Sequence, residues 1–246
     1  MPKEAGPAGE VFRNYLMVAL ATGVLCRLPG AWLQQNIIPA LLAILFVSIA
    51  VRHARRDPRG LAHFGIALAG VFDPPAVEKS FVKEVWDLLK RGAPGALRSM
   101  LVASAIAAVI FPLFALGFVW WFEPSRAYAW PGTTEHLWFG LSQLLVVALP
   151  EEILFRGYVQ TRLTDAWPTT HNVRGARLSI PAWLIQALLF ALLHVIANPE
   201  PQRLAVFFPG LLFGWARGRT GNVGASVWLH AMSNVYSRLL TQGFFS

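Results

Sequence analysis

The stretch Leu149-Pro150-Glu151-Glu152-Ile153-Leu154-Phe155-Arg156-Gly157-Tyr158 puts two adjacent carboxylates and a guanidinium into an apolar run that extends from about His136 to Leu163. A run of that length is enough to span a bilayer, which takes ~20 residues of helix. Ionisable groups at mid-membrane cost roughly 2.5–3.5 kcal/mol each on insertion scales, so they are rare there and carry function. The rest of the chain is read by asking what shares a site with Glu151 and Glu152.

The composition agrees with a membrane setting. Of 246 residues 55% are hydrophobic and only 14% charged, where a soluble domain carries about 25% charged residues. The expected class is all-α: a polytopic transmembrane helical bundle of seven spans, or eight if residues 61–72 cross. The formal charge of +8 is assigned to the positive-inside bias of loops. Nucleic acid is not expected as a partner, because the basic residues are scattered between apolar segments. A single cysteine, Cys26, excludes an intramolecular disulfide and a thiolate zinc cluster; it reads as a packed core residue.

Apolar segments at about Asn14–Leu28 and Trp32–Val51 give the first two spans, followed by Arg52, Arg55, Arg56 and Arg59 in a cytoplasmic loop. Residues 61–72 make half a span, re-entrant or interfacial. Asp73-Pro74-Pro75 breaks the chain, and Ala76–Arg91 has the apolar spacing and basic side of an amphipathic helix on the cytoplasmic leaflet or on the bundle. Ser99–Phe122 is the next span, closed by Trp120 and Trp121. After the organising helix come a basic loop with Arg174 and Arg177, a span at Ile180–Ala197, another at Leu204–Trp215, and a last at Val223–Leu240. Gly210, Gly214 and Gly218 form a small-xxx-small stripe suited to close helix approach. The chain divides into residues 1–98, the N-terminal spans with the basic loop and amphipathic segment, and 99–246, the catalytic core. The expected setting is a prokaryotic inner membrane, with the lipid bilayer as a constant partner.

On a helix, residues four apart share a face. Arg156 is therefore expected to pair with Glu152, leaving Glu151 free for chemistry. Pro150 removes a backbone hydrogen bond and releases a carbonyl near Val146. Two other spans carry polar residues where apolar ones are cheaper: His194 in the span after the organising helix, and His230 with Asn234, four apart, in the last. A carboxylate and a histidine can hold a water and withdraw its proton. A second histidine and an amide can stabilise a tetrahedral oxyanion. The set suits peptide hydrolysis, with Glu151 as base, His194 orienting the water, and His230 and Asn234 at the oxyanion.

The spacing Glu151-Glu152-x-x-x-Arg156, Phe190-x-x-x-His194 and His230-x-x-x-Asn234 resembles the CPBP family, which joins the CAAX prenyl endopeptidases to bacterial relatives. The three motifs fall within about residues 136–240. The resemblance implies a glutamate-dependent intramembrane protease with catalytic Glu151, His194, His230 and Asn234, a supporting Glu152–Arg156 pair, and no cofactor. A zinc enzyme using His194, His230 and Glu151 is the rival, although the chain lacks His-Glu-x-x-His. A serine site at Gly224-Ala225-Ser226 is discounted, since Val227 stands where a glycine is wanted. A membrane chaperone or immunity-type binder and a proton-coupled transporter are the non-protease readings. The expected substrate is a membrane-anchored or lipidated protein cut near its C-terminus, the preferred case being a C-terminal sorting tail.

Overall fold

The computed structural model describes residues 6–70, 81–132 and 134–245. Nine helices are defined here: α1 (Pro7–Leu25), α2 (Ala31–Asn36), α3 (Ile38–Arg56), α4 (Gly60–His63), α5 (Phe81–Phe122), α6 (residues 134–166), α7 (Ile180–Ala197), α8 (Phe207–Thr220) and α9 (Gly224–Phe245). They pack into one all-helical bundle. Four described segments are long and apolar enough to cross a membrane: Ala31–Arg56, Val82–Phe122, His136–Ala166 and Ile180–Ala197. The seven or eight spans expected from hydropathy therefore reduce to four by this measure. Helix α8 has only 14 residues. Helix α9 is long enough but carries His230, Ser233, Asn234, Ser237 and Arg238.

Two boundaries differ from expectation. The amphipathic segment and the span after it form one continuous helix from Phe81, with Pro94 and Pro112 inside it. At ~1.5 Å per residue its 42 residues reach about 63 Å, twice the ~30 Å hydrocarbon thickness. Its basic N-terminal turns are therefore continuous with the apolar span that follows; residues 76–80 lie outside the described residues. The 61–70 segment forms no span. It is α4, a turn and a short 3-10 helix at Leu68–Gly70, tucked under the bundle with Phe64 and Ile66 buried. Val223 N–H donates to the Gly65 carbonyl at 3.0 Å. The loop after α6 holds an antiparallel hairpin, β1 (His171–Val173) and β2 (Ala176–Leu178), too short for a period-two pattern to announce.

Helix α6 is irregular around Glu151 and Glu152. Gln143–Ala148 and Ile153–Val159 are π-helical, flanking a short α turn at Leu149–Glu152. Pro150 lacks the N–H that an α-register needs, and widened turns of this kind recur at functional sites. The glycine stripe on α8 works as its spacing predicts. A Cβ on Gly210 would lie 3.3–3.4 Å from Phe190 and Ala187 of α7, and one on Gly214 would lie 2.6 Å from Gln186. The close approach brings backbone carbonyls of α8 within reach of side chains on α6 and α7.

The end of the bundle that holds the 52–59 loop is tied by a polar network. Arg59 bonds both Asp57 and Asp165, and Arg162 reaches Glu10 at 3.0 Å. Tyr158 donates to Glu10 at 2.9 Å, and His63 sits 3.2 Å from Asp165. The first helix, the loop after α3 and the end of α6 are thus joined by charge-assisted bonds, among residues drawn from both sides of the sequence boundary at 98/99.

Candidate active site

The ion pair forms on the expected face. Arg156 Nη1 lies 2.8 Å from Glu152 Oε1, and neither side chain reaches solvent. Such a pair is costly unless its other hydrogen-bonding groups are met, and here some are while Glu152 Oε2 and Arg156 Nε are not. Arg156 Nη2 donates to the Gly210 carbonyl at 3.1 Å, and the guanidinium lies over the Phe190 ring at 4.2 Å and near Phe213 at 5.2 Å, both favourable cation–π placements. Gln186, fully buried, donates to the same Gly210 carbonyl at 3.2 Å.

Helix α9 brings His230 against this pair. Its Nδ1 stands 2.9 Å from Glu152 Oε1, and its Nε2 stands 3.9 Å from Glu151 Oε2. The ring stacks on Phe213 with centroids 4.9 Å apart. His194 approaches Glu151 from α7, with Nε2 at 4.0 Å from the same oxygen, while its Nδ1 lies 2.9 Å from the Phe190 carbonyl. A carbonyl only accepts, so His194 Nδ1 is the protonated nitrogen. An ionised Glu152 likewise makes Nδ1 the donor of His230. Each neutral ring then turns an Nε2 lone pair toward Glu151, whose Oε2 is buried without a hydrogen-bond partner. This qualifies one expectation: His230 donates from Nε2 to an oxyanion only as an imidazolium.

Asn234 Nδ2 donates to Gln143 Oε1 at 2.7 Å, which leaves its second N–H uncommitted. Gln143 belongs to the first π-turn of α6 and was missed in the sequence, although a glutamine eight residues before Glu151 in an apolar run was a visible signal. Gln186, eight before His194, was missed in the same way. Ser226 is buried, with its hydroxyl donating to the Phe213 carbonyl at 2.8 Å, consistent with discounting a serine nucleophile.

The site lies between two cavities. One of about 840 Å³ contains His194, His230 and Asn234 and is otherwise lined largely by apolar side chains, among them Phe114, Trp183 and Phe208. The other, about 200 Å³, opens against α1 and α3 and contains Glu151, His194, Thr22 and Cys26. Cys26 is only partly buried at this cavity wall, not the packed core residue expected. Thr22 is buried there with no partner for its hydroxyl.

Ligands 2.0–2.1 Å from a tetrahedral zinc lie about 3.4 Å from one another, whereas both histidine nitrogens stand 3.9–4.0 Å from the carboxylate oxygen. Among the described residues no three His, Cys, Asp or Glu side chains are placed to hold a metal ion. The donor types suit zinc; their spread does not.

Residues 133–236 match the family model described as type II CAAX prenyl endopeptidase Rce1-like. Glu151, Glu152, Arg156, Phe190, His194, His230 and Asn234 all fall inside the matched segment, which covers less than half of the chain. No curated protein and no solved structure matches the chain.

Proposed function

We propose that this integral membrane chain is a glutamate-dependent intramembrane endopeptidase, cutting a membrane-anchored protein near its C-terminal end. The observation that supports this reading best is the convergence of His194 Nε2 and His230 Nε2 on Glu151 Oε2, at 4.0 and 3.9 Å. These gaps are too long for direct hydrogen bonds. A water oxygen ~2.8 Å from both ends of such a gap subtends roughly a right angle, an ordinary hydrogen-bond arrangement.

With lone pairs on both Nε2 atoms and a carboxylate facing them, the group that completes the set must donate, and water does so twice. Glu151 takes one water proton as the oxygen attacks the peptide carbonyl, forming the C–O bond. The displaced electron pair settles on the carbonyl oxygen, where the uncommitted N–H of Asn234 donates to it, while His230 stays the neutral ring that holds the water. The oxyanion collapses, the C–N bond breaks, and the proton on Glu151 passes to the leaving nitrogen. No metal is needed for these transfers. The peptide lies on the side of the 840 Å³ cavity, where an unwound segment is screened from lipid by protein. Water reaches Glu151 from the 200 Å³ cavity.

The preferred substrate is a C-terminal sorting tail of a bacterial inner-membrane protein. Comparative proteomics of strains carrying the native chain and Glu151→Gln tests it. Membrane proteins that keep a longer C-terminus in the variant are the expected result. Identical substrate masses in the two strains would overturn the proposal.

A further inference from the structure

A second small cavity, about 140 Å³, lies at the basic end of the bundle, under the β-hairpin. Its lining includes Arg156, Arg177, Arg217, His63, Thr161 and Asp165. Three arginines around a space of that size are costly unless anions oppose them. Arg156 has its carboxylate in Glu152. Asp165 is matched by Arg59, at 2.8 Å, and by His63. Arg177 and Arg217 have no carboxylate partner among the described residues; Arg217 has one long bond, to the His63 carbonyl at 3.3 Å.

The site is built to hold those guanidinium groups. Gly65 has a positive φ of 67°, and a Cβ there would lie 2.8 Å from the Arg217 guanidinium, so the turn after α4 makes room for it. The tight β1–β2 turn holds Arg177 over the mouth. Two donors are orphaned: Nε of Arg217, and Nε of Arg156, whose side chain is fully buried. Arg177 and Arg217 bring two guanidinium groups to one space, the recognition geometry for tetrahedral oxyanions, while Arg156, its fork engaged by Glu152 and Gly210, has only Nε to offer. The volume equals about four to five waters at ~30 Å³ each, room for one phosphate group.

We propose that this cavity binds a phosphate monoester group, held by Arg177 and Arg217 with Arg156 at its floor. The basic loops place it at the level of the cytoplasmic headgroups, so the group is supplied either by an anionic lipid or by a free anion of the same chemistry. The site shares Arg156 with the ion pair behind Glu151, but it does not depend on the proposed hydrolysis.

The test uses the full chain in detergent at constant ionic strength, following its thermal unfolding midpoint. Inorganic phosphate and short-chain phosphatidic acid are titrated separately, with short-chain phosphatidylcholine as control. A ligand that binds only the folded state raises the midpoint saturably. The expected result is a rise of a few degrees with at least one phosphate ligand, and at least tenfold weaker binding in Arg177→Gln, a substitution at an exposed position. Arg217→Gln removes the response altogether. A response to phosphatidic acid alone identifies the lipid source; a response to both identifies the anion itself. No shift with either ligand, or the same titration in Arg177→Gln as in the native chain, overturns the proposal.

Discussion

Glu152 and His230 meet at 2.9 Å, carboxylate oxygen to ring Nδ1, and the same oxygen takes the Arg156 guanidinium at 2.8 Å. One buried atom therefore joins a helix-internal ion pair to the histidine of another helix. Removing its charge strands Arg156 in a fully buried place. Breaking a buried pair from one side costs about 3–5 kcal/mol. Glu152→Gln is expected to lower stability by about that amount, seen as unfolding at lower denaturant in detergent, with any activity loss following the loss of fold. An unchanged unfolding midpoint would show that the pair is not what holds this region together.

The neighbouring carboxylate behaves differently. Glu151 bonds neither Arg156 nor a backbone group, and its nearest ionisable atoms are the two histidine nitrogens. Glu151→Gln is isosteric and leaves no stranded charge. Its expected effect is a fall in kcat of about 10²–10⁴, the range for a general base, with substrate capture and unfolding midpoint unchanged. Retained turnover would remove Glu151 from the mechanism.

The contrast between the two glutamates was legible in the sequence because the four-residue spacing of Glu152 and Arg156 keeps them on one face even where the turn widens. So was the set of helices that carries His194, His230 and Asn234. What the sequence hid is non-local. The π-turns around Pro150 depend on how α6 packs, since the same residues satisfy an α-helix pattern. The Asp57–Arg59–Asp165 network joins residues more than a hundred positions apart. The continuity of α5 across residues 92–98 was hidden by Gly92, Pro94 and Gly95, which elsewhere would end a helix.

Gln143 acts through Asn234. Its carbonyl oxygen fixes the amide at 2.7 Å, so its loss should misaim the uncommitted N–H without touching substrate. Asn234→Ala is expected to reduce kcat by about 10²–10³, the loss found for removing one oxyanion donor. Gln143→Ala should give a smaller fall in kcat, with KM unchanged and partial recovery in Gln143→Glu. Steady-state kinetics on a processed tail peptide separates the two parameters. A rise in KM alone would mean that Gln143 shapes the peptide cavity instead.

The glycine stripe allows a graded test of packing. A Cβ at Gly214 meets Gln186 at 2.6 Å and Trp183 at 2.8 Å, while at Gly210 the nearest atoms are 3.3–3.4 Å away. Overpacking a dense interface costs about 1–3 kcal/mol. Gly214→Ala should therefore destabilise toward the upper end of that range and Gly210→Ala toward the lower. Equal effects would mean that α7 and α8 separate freely.

The Asp57–Arg59 network sets a pH dependence of known sign. The Arg59 guanidinium, hydrogen-bonded to Asp57, holds that carboxyl well below the usual carboxylate range, against a smaller opposing effect of burial. A carboxylate whose pKa is depressed by folding contributes stability that is complete above its unfolded value of about 3.9 and is lost as pH falls from there through the folded value. Arg59 is half exposed, so water screens part of the effect. Asp57→Asn should lower the unfolding midpoint at neutral pH, and the gap to the native chain should narrow as pH drops below about 4. A gap that stays constant down to strongly acidic pH would assign the loss to packing rather than to charge.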